Sequence, residues 1–413
     1  MNPSGQMSPA QLNAVARAAI KQRAVNMRQQ IYGQTFTASG TNNISASTPI
    51  VNVIPRNVGL IKGFWVKVVA TITNNGTNAA ATPSDLGGAN LLSQIQFNDL
   101  NNNTRIQTTG WHVALINAAK NRRPYGASLV GATGIDVGGS KVFADGTTTD
   151  GTTATGFQTN FMTASIDDTA GTGTVIQWYY VPLSYSDDDF RGAVYANVVN
   201  ATMQLNLTFN PNPGATSTAD STSAVYIAGA SDVGSNVVIS AATITVYQDY
   251  LDQLPVGPGG VLLPVLDLAT IYELKNTVVT SIVPAQDFPI QYSNFRDFLS
   301  TSLIYVNTAS SGARNYGSDI NYLALQSANF TNIWKLEPAL PALLWRNKNF
   351  QMDWVKGGYY FPSREKPIST VQYGNMELII NASTAGTGAY ALLGYEDFAL
   401  VQSLSMAGSL AAS

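Results

Sequence analysis

Cysteine is absent from the sequence, and histidine occurs only once, at His112. Without cysteine, disulfide bonds and thiolate chemistry are impossible, and zinc sites built from cysteine and histidine are excluded. A Ser-His-Asp hydrolase would have to use His112, which stands beside Trp111 in the predicted helix TGWHVALINAAK. We interpret this residue as a structural histidine. Neither a G-x-S-x-G nucleophile elbow nor a Walker A motif occurs.

Carboxylate pairs suited to catalysis are also lacking. Glu396 and Asp397 are adjacent in a predicted strand, where their side chains point to opposite faces, and Asp249 lies at a predicted strand end with Asp252. The acidic run 187–189 does not have the spacing of a calcium-binding loop, and a solvated turn suits it better. We therefore predict that the chain is not an enzyme and has no catalytic, cofactor-binding or metal-binding residues.

Charge is scarce throughout the chain. Charged residues make up 11% of it, against about 25% in ordinary soluble domains, while hydrophobic residues make up 45%. A surface of Asn, Thr, Ser and Gly repels itself weakly, which suits a protein that packs against copies of itself. A merely Thr- and Asn-rich β protein stays possible. No run of about 18 apolar residues and no signal peptide is visible.

The scarce charge is unevenly placed, because every charged residue before Asp85 is basic. Residues 8–30 have the capping signals and composition of a helix. We predict a basic helix and linker arm over residues 1–45, in which the polar stretch GQTFTASGTNNISAS tethers the helix. Such a helix can lie on an anionic membrane, contact nucleic-acid phosphates, dock on a neighbouring subunit, or pack on its own domain.

Most of the remaining sequence predicts strands. NVGLIKGFWVKVVATITN is rich in Val, Ile and Thr, and TMQLNLTF alternates so that Met203, Leu205, Leu207 and Phe209 face one side. Many short strands between Gly-, Pro- and Asn-rich turns indicate a mainly β sandwich or barrel. Besides the arm, TGWHVALINAAK and SDINYLALQSANF predict helices. We expect most tryptophans, including Trp65 and Trp178, in the core.

Three short motifs occur twice in the same order. A Tyr-Tyr-x-Pro strand at 179–182 and again at 359–362 is followed by a Met-x-Leu strand and then by YQDY or YEDF. Such order favours two similar halves. The breakers Pro255, Gly257, Pro258 and Gly259 then mark the linker between two β barrels.

Several of these stretches resemble the major capsid protein of tectiviruses, which are tailless icosahedral bacteriophages with an internal membrane. The resemblance runs along nearly the whole chain, and VYQDYLDQLPVG is its most specific string. The matching strings are NVGLIKGFWVKVVATITNN (57–75), TGWH (109–112), TVYQDYLDQLPVG (245–257), DINYL (319–323), QYGN (372–375) and GYE (394–396).

The resemblance implies a double jelly roll, that is, two tandem eight-stranded jelly rolls with an N-terminal amphipathic helix. We assign the first jelly roll to residues 46–255, the second to 256–400 and a C-terminal tail to 401–413. It further implies homotrimers of pseudo-hexagonal outline that tile an icosahedral shell. Within that family the N-terminal helix faces the viral membrane, so Arg17, Lys21, Arg23 and Arg28 are the candidate membrane-facing residues. Loops near 143–160 and 211–241 correspond to outward-facing ones.

The implied partners are other copies of the chain, other capsid and vertex proteins, and viral membrane lipids, without direct nucleic-acid binding. The implied location is the virion, after assembly in the host cytoplasm. One alternative is a β-sandwich protein that binds a receptor or carbohydrate, although it leaves the basic helix unexplained. A double-barrel glycan-processing enzyme is a third hypothesis, and it lacks a convincing carboxylate pair.

Overall fold

The structure is a computed structural model, and strands dominate it. It describes residues 15, 18, 24–37, 44, 50–84, 87–121, 127–129, 147–148, 154–155, 166–186, 189–196, 201–216, 222–252, 270–307, 314, 319–328, 330–337, 357–383 and 389–400. We call residues 24–252 the first half and residues 270–400 the second half.

The elements of the first half are mostly long strands joined by irregular segments. They are β1 (Val25–Thr37), β2 (Ile50–Val53), β3 (Leu60–Asn74), β4 (Thr82–Pro83), a 3-10 turn (Gly87–Leu91), β5 (Leu92–Asn98), β6 (Thr104–Thr108), helix α1 (Gly110–Asn121), β7 (Ala127–Leu129), β8 (Thr147–Thr148), β9 (Ala154–Thr155), β10 (Gly171–Pro182), β11 (Val194–Tyr195), β12 (Gln204–Phe209), β13 (Gly214–Ala215), β14 (Tyr226–Ile227), a 3-10 turn (Gly234–Asn236) and β15 (Val237–Asp252).

The described residues of the second half form nine further strands and one helical turn. They are β16 (Thr270–Thr280), β17 (Asp287–Gln291), β18 (Arg296–Val306), β19 (Ile320–Ser327), β20 (Phe330–Leu336), β21 (Gly358–Pro362), β22 (Ile368–Ser369), α2 (Thr370–Tyr373), β23 (Met376–Ala382) and β24 (Tyr390–Leu400).

Both halves use one strand order. In the first half, β1-β15-β3-β10 form one sheet and β2-β12-β5-β6 form another; in the second half, β16-β24-β18-β21 and β17-β23-β19-β20 repeat that arrangement. In both halves the strands of one sheet are therefore the first, eighth, third and sixth of the repeated set. This is the order of a jelly roll. The mainly β prediction is confirmed.

The two halves share a sheet and part of a core. Strand β6 pairs in parallel with β16 at Ile106 and Leu274, which makes a nine-stranded sheet across both halves. The largest core cluster combines first-half residues with second-half residues such as Ile304 and Leu392, and the next largest lies wholly in the second half. Strand β18 is accordingly buried on both faces from Phe298 onward.

The long strands give the first half two distinct ends. Val25 pairs with Asp252, so the N-terminal segment and the connection to the second half leave from one end, which we call the arm end. Asn74 pairs with both Gly171 and Val237 at the other end, the loop end. At about 3.3 Å per residue, the 15 residues of β3 separate these ends by roughly 45 Å.

The insertions lie at the loop end. Strands β4, β13 and β14 form a separate small sheet there, and Ala81 bridges to Ile166. The Asp232 carboxylate holds the adjoining loop by accepting hydrogen bonds from the backbone of Thr77, Asn78 and Ala79. The described residues of the 211–241 segment therefore lie at the end of the first half opposite Val25. Most of the 143–160 segment lies outside the described residues.

The prediction for the N-terminal segment is partly wrong. Val15 and Ala18 are helical, but residues 25–30 of the predicted helix, and residues 33–37 of the predicted linker, belong to β1. The physical reason is long-range pairing, because β1 lies along β15 from Val25 to Thr37 and buries Phe36. Pairing with a neighbouring strand overrides a local helical preference. Among the described residues, no helix is long and apolar enough to cross a membrane.

Among the predictions for other single elements, two are confirmed and one is wrong. TGWHVALINAAK forms α1, and Met203, Leu205, Leu207 and Phe209 are all buried, so both predictions are confirmed. The predicted helix in SDINYLALQSANF is wrong, since this segment is β19 and pairs with β20 and β23 on its two sides.

Candidate functional site: the junction between the halves

Helix α1 belongs to the first half and contacts the second. Its buried side packs in the first core through Trp111 and Leu115. His112 and Lys120, eight residues apart, lie on one side of the helix and reach β24. Helix α1 therefore connects the core of its own half to a sheet of the other half.

His112 fits against a glycine of β24. A Cβ atom at Gly394 would lie 2.6 Å from the imidazole Nε2 and 2.4 Å from Ser302 Oγ. Nδ1 of His112 shares a hydrogen bond of 2.7 Å with Thr108 Oγ1. Complete burial lowers the pKa of His112 to about 3. This histidine is therefore neutral and structural, in agreement with the sequence interpretation.

Glu396, fully buried on the same face of β24, is the charged centre of the junction. It accepts hydrogen bonds from Tyr272 Oη at 2.5 Å and Ser300 Oγ at 2.9 Å. Arg364 donates from Nε at 3.0 Å and also from its terminal nitrogen, which makes the contact bidentate. Because both carboxylate oxygens are engaged, the burial of this charge is compensated within the chain.

Lys120 adds a cation from the first half. Its Nζ lies 3.7 Å from Glu396 Oε1, 4.4 Å from the centre of the Tyr272 ring, and 3.3 Å from the carbonyl oxygen of Ser184. The first half also supplies Tyr185, whose hydroxyl donates to the carbonyl oxygen of Arg364 at 2.9 Å. These contacts join the halves through charges that are largely shielded from water.

Asp397 lies on the opposite face of β24 from Glu396, as its adjacent position predicts. It accepts a hydrogen bond of 2.7 Å from Arg296, which also contacts Glu273. Burial raises the pKa of Asp397 to about 6, although Arg296 opposes this shift. Each carboxylate thus has its own cation on its own side of the sheet. The arrangement does not resemble a pair of glycosidase carboxylates facing one cavity.

The first half contains a counterpart of Glu396. Tyr180 of β10 and Tyr360 of β21 are the second tyrosines of the repeated Tyr-Tyr motif and so occupy equivalent positions. When the strand registers of the two sheets are aligned on these tyrosines, Asp249 is the equivalent of Glu396. Asp249 is also buried. It lies 3.5 Å from Lys62 Nζ and 3.5 Å from Arg28 Nε, and it accepts a hydrogen bond of 3.3 Å from Tyr180.

Of the residues predicted to face the membrane or to form the linker, only Arg28 lies among the described residues. It lies in β1 at the arm end, with 59% of its side chain exposed, beside Asp249. Arg17, Lys21 and Arg23 lie outside the described residues, as do Pro255, Gly257, Pro258 and Gly259. The membrane-facing and linker assignments stay predictions.

The acidic run is described only at Asp189, which pairs with Arg191 at 2.8 Å. Within the described part of the chain, no cluster of three or more His, Asp or Glu side chains could hold a metal ion. Sequence analysis missed Lys120 and Arg364, because no local signal connects residues so far apart. The repeated YEDF motif did single out Glu396.

Two family models together match most of the chain. One, described as P3 major capsid protein N-terminal, matches residues 6–254, and the other, P3 major capsid protein C-terminal, matches residues 269–412. A curated relative, the major capsid protein P3 of Enterobacteria phage PRD1, is 37% identical over 402 residues, which cover 96% of this chain and 93% of the relative.

Solved structures resemble the fold at much lower identity. The crystal structure of the STIV MCP has a TM-score of 0.57 at 14% identity, covering 94% of this chain and all of that one. The atomic structure of Sulfolobus Turreted Icosahedral Virus has a TM-score of 0.59 at 13% identity, covering 93% of both chains. The strand order, the two family models and the PRD1 relative agree: the chain belongs to the P3 major capsid protein family.

Proposed function

We propose that the chain forms homotrimers of pseudo-hexagonal outline, which pack into an icosahedral shell around an internal membrane. The observation that carries this proposal, beyond family membership, is the repeated strand order of the two halves. Three copies contain six halves of one topology, which gives an outline with near six-fold character. The eight repeated strands of each half are the two jelly rolls, and the extra short strands are insertions.

The two ends of the first half differ, and this difference supports an orientation of the chain in the shell. The N-terminal segment leaves from the arm end, and the insertions lie roughly 45 Å away at the loop end. We propose that the arm end faces the membrane and the loop end faces outward. Arg28, exposed at the arm end, then acts with Arg17, Lys21 and Arg23 on anionic lipid.

The connection between Asp252 and Thr270 contains Pro255, Gly257, Pro258 and Gly259. We propose that it is the linker between the two jelly rolls, of which the first begins at β1 rather than at residue 46, and that residues 401–413 form a tail. The chain then acts as a structural protein without catalysis. Its partners are copies of itself, other capsid and vertex proteins, and membrane lipid, without direct nucleic-acid binding. Assembly takes place in the host cytoplasm.

Flotation with anionic vesicles tests the arm. The residues replaced in this test precede β1, which begins at Val25. Each basic residue near an anionic surface contributes about 1 kcal/mol, so replacing Arg17, Lys21 and Arg23 with Gln should weaken binding by roughly 100-fold. A matched variant with Arg17→Lys and Arg23→Lys should bind as the unmodified protein does. Equal binding by the Gln variant and the unmodified protein would contradict the membrane assignment.

A further inference from the structure

The two halves direct their corresponding ends to the same side of the chain. Strand β6 begins on the side where β2 leads into β3, which is the arm end of the first half. Strand β16 begins on the side where β17 leads into β18. Because β6 and β16 pair in parallel, these two ends lie together. We call this common end the arm side.

Three large apolar side chains are exposed on the arm side. The turn between β2 and β3 exposes Ile54, at 66%, and the turn between β17 and β18 exposes Phe295, at 51%. Val371 of α2 is 60% exposed. Thr370 Oγ1 accepts a hydrogen bond of 2.9 Å from the backbone nitrogen of Arg296 and donates one of 3.2 Å to its carbonyl oxygen. Phe295 and Val371 are therefore neighbours. We call Ile54, Phe295 and Val371 the apolar tips.

The turn of the first half is fixed in the same way as that of the second. Gln248 Oε1 accepts a hydrogen bond of 2.9 Å from the backbone nitrogen of Arg56, and its Nε2 donates one of 3.0 Å to the carbonyl oxygen of Arg56. One side chain thus binds both backbone groups of an arginine in each half. The apolar tips are consequently held out from the fold by defined hydrogen bonds.

Phe295 has a backbone conformation that bulky residues rarely adopt. Its φ is +58°, where a side chain crowds the backbone. The residue immediately before β3 also has a positive φ, of 56°, but there the chain carries Gly59, which adopts it without crowding. Strained residues are concentrated at functional sites. Since the Phe295 ring is also half-exposed, the strain points to a contact outside the chain.

Basic residues surround the apolar tips. Arg56 is exposed next to Ile54, and Lys366 is exposed close to Val371 in the sequence, beside the acidic Glu365. Three further basic residues precede β1 by at most eight positions and therefore lie within about 30 Å of the arm side, namely Arg17, Lys21 and Arg23. Apolar side chains bordered by Lys and Arg are typical of surfaces that lie in the interface of anionic lipid. Nucleic acid would contact the cations but offers little to aliphatic side chains.

We propose that the apolar tips insert into the interfacial layer of an anionic lipid membrane, while Arg56 and Lys366 contact its headgroups. The inference rests on the proposed orientation of the arm end towards the membrane. It adds a second contact, made by rigid turns of both halves, to the contact assigned to the N-terminal arm.

A fluorescent label tests the insertion directly. Because the chain has no cysteine, Phe295→Cys provides a single site for an NBD label, whose emission rises and shifts to shorter wavelength in apolar surroundings. Vesicles of equal amounts of phosphatidylglycerol and phosphatidylethanolamine should cause that shift. The control is the same label on Val233→Cys at the loop end, whose emission should not change.

Two unlabelled variants measure the contribution of the apolar tips to binding in vesicle flotation. Phe295→Gly relieves the positive φ, so stability in urea should stay unchanged or rise, while binding should weaken about 10- to 100-fold through the lost burial of one Phe side chain. Val371→Ala should weaken binding about 3- to 10-fold. Its matched control is Val233→Ala, an equally exposed valine at the loop end, which should bind as the unmodified protein does.

The remaining outcomes separate this inference from the proposed function. Vesicle-bound protein whose label at position 295 keeps its emission in water would overturn the inference and leave the arm contact standing. A label that is already shifted without vesicles would show that another copy of the chain covers Phe295, which also overturns the inference. Unmodified protein that does not float with vesicles would overturn both membrane contacts.

Discussion

The imidazole of His112 occupies the space that a side chain at Gly394 would need, and so a residue of one half determines which residue the other half can carry. Gly394→Ala would place a methyl group 2.6 Å from the ring and 2.4 Å from Ser302 Oγ. Overpacking of this kind costs about 1–3 kcal/mol. We expect that loss in the free energy of unfolding, measured by urea denaturation. Gly33→Ala is the control, because its new methyl group meets only the end of the flexible Gln30 side chain, so stability should stay unchanged or rise.

The cations around Glu396 should differ in importance. Arg364→Met removes a bidentate partner from a fully buried carboxylate, which costs about 3–5 kcal/mol when a buried pair is broken. Lys120→Met removes a more distant cation, so we expect a smaller loss of stability.

The matched control for these two variants is Lys275→Met. Lys275 is about one-third exposed in its pair with Glu273, and such pairs contribute about 1 kcal/mol or less. Thermal unfolding of the three variants gives the order. A Lys275 variant as unstable as the Arg364 variant would contradict this account of the junction.

His112 should make the protein less stable in acid. Its pKa is about 3 in the folded chain and about 6.5 when unfolded, so below pH 6.5 the unfolded state binds a proton that the folded state does not. Stability is then lost as the pH falls from about 6.5 towards 3. The full loss is about 4–5 kcal/mol, at 1.36 kcal/mol for each pKa unit. His112→Gln should flatten this part of the pH profile. A variant with the same acid slope as the unmodified protein would show that His112 is not the source.

Asp397 should act in the opposite direction. Its pKa of about 6 in the folded chain lies above the usual value of 3.8, so the folded state takes up the proton first. The stability of the unmodified protein, relative to Asp397→Asn, should therefore rise as the pH falls from about 6 to 3.8. Chemical denaturation of both proteins across this range measures the difference. If the stability of the unmodified protein relative to Asp397→Asn falls as the pH is lowered over this range, the raised pKa is contradicted.

The periodicity and composition of short segments predicted the elements whose structure depends on residues close together in the chain. Strand β12 has alternating apolar residues because one face is buried, and α1 has the composition of a helix. The repeated Tyr-Tyr-x-Pro motif also located equivalent strands, β10 and β21. These signals lie within a few residues of each other, so they can be detected in the sequence.

Sequence reasoning failed where a distant partner decides the structure. Residues 25–30 form a strand because β15 pairs with them, and β19 is a strand because two neighbours flank it. Trp65 and Trp178 were expected in the core, but they lie on the face of their sheet that is directed away from the core of the first half. The YQDY and YEDF motifs are shifted by one residue relative to each other when the two sheets are aligned. Tyr247 therefore points away from the core of its half, while Tyr395 packs on its own core. None of these strand pairings and side-chain orientations can be predicted from a short stretch of sequence.

The central claim is that three copies of this chain make one capsomer, and the mass of the purified native protein tests it most directly. Size exclusion with light scattering should give one species at three times the 43.9 kDa chain mass, stable on dilution. A species of one chain mass at all concentrations would contradict the proposed assembly.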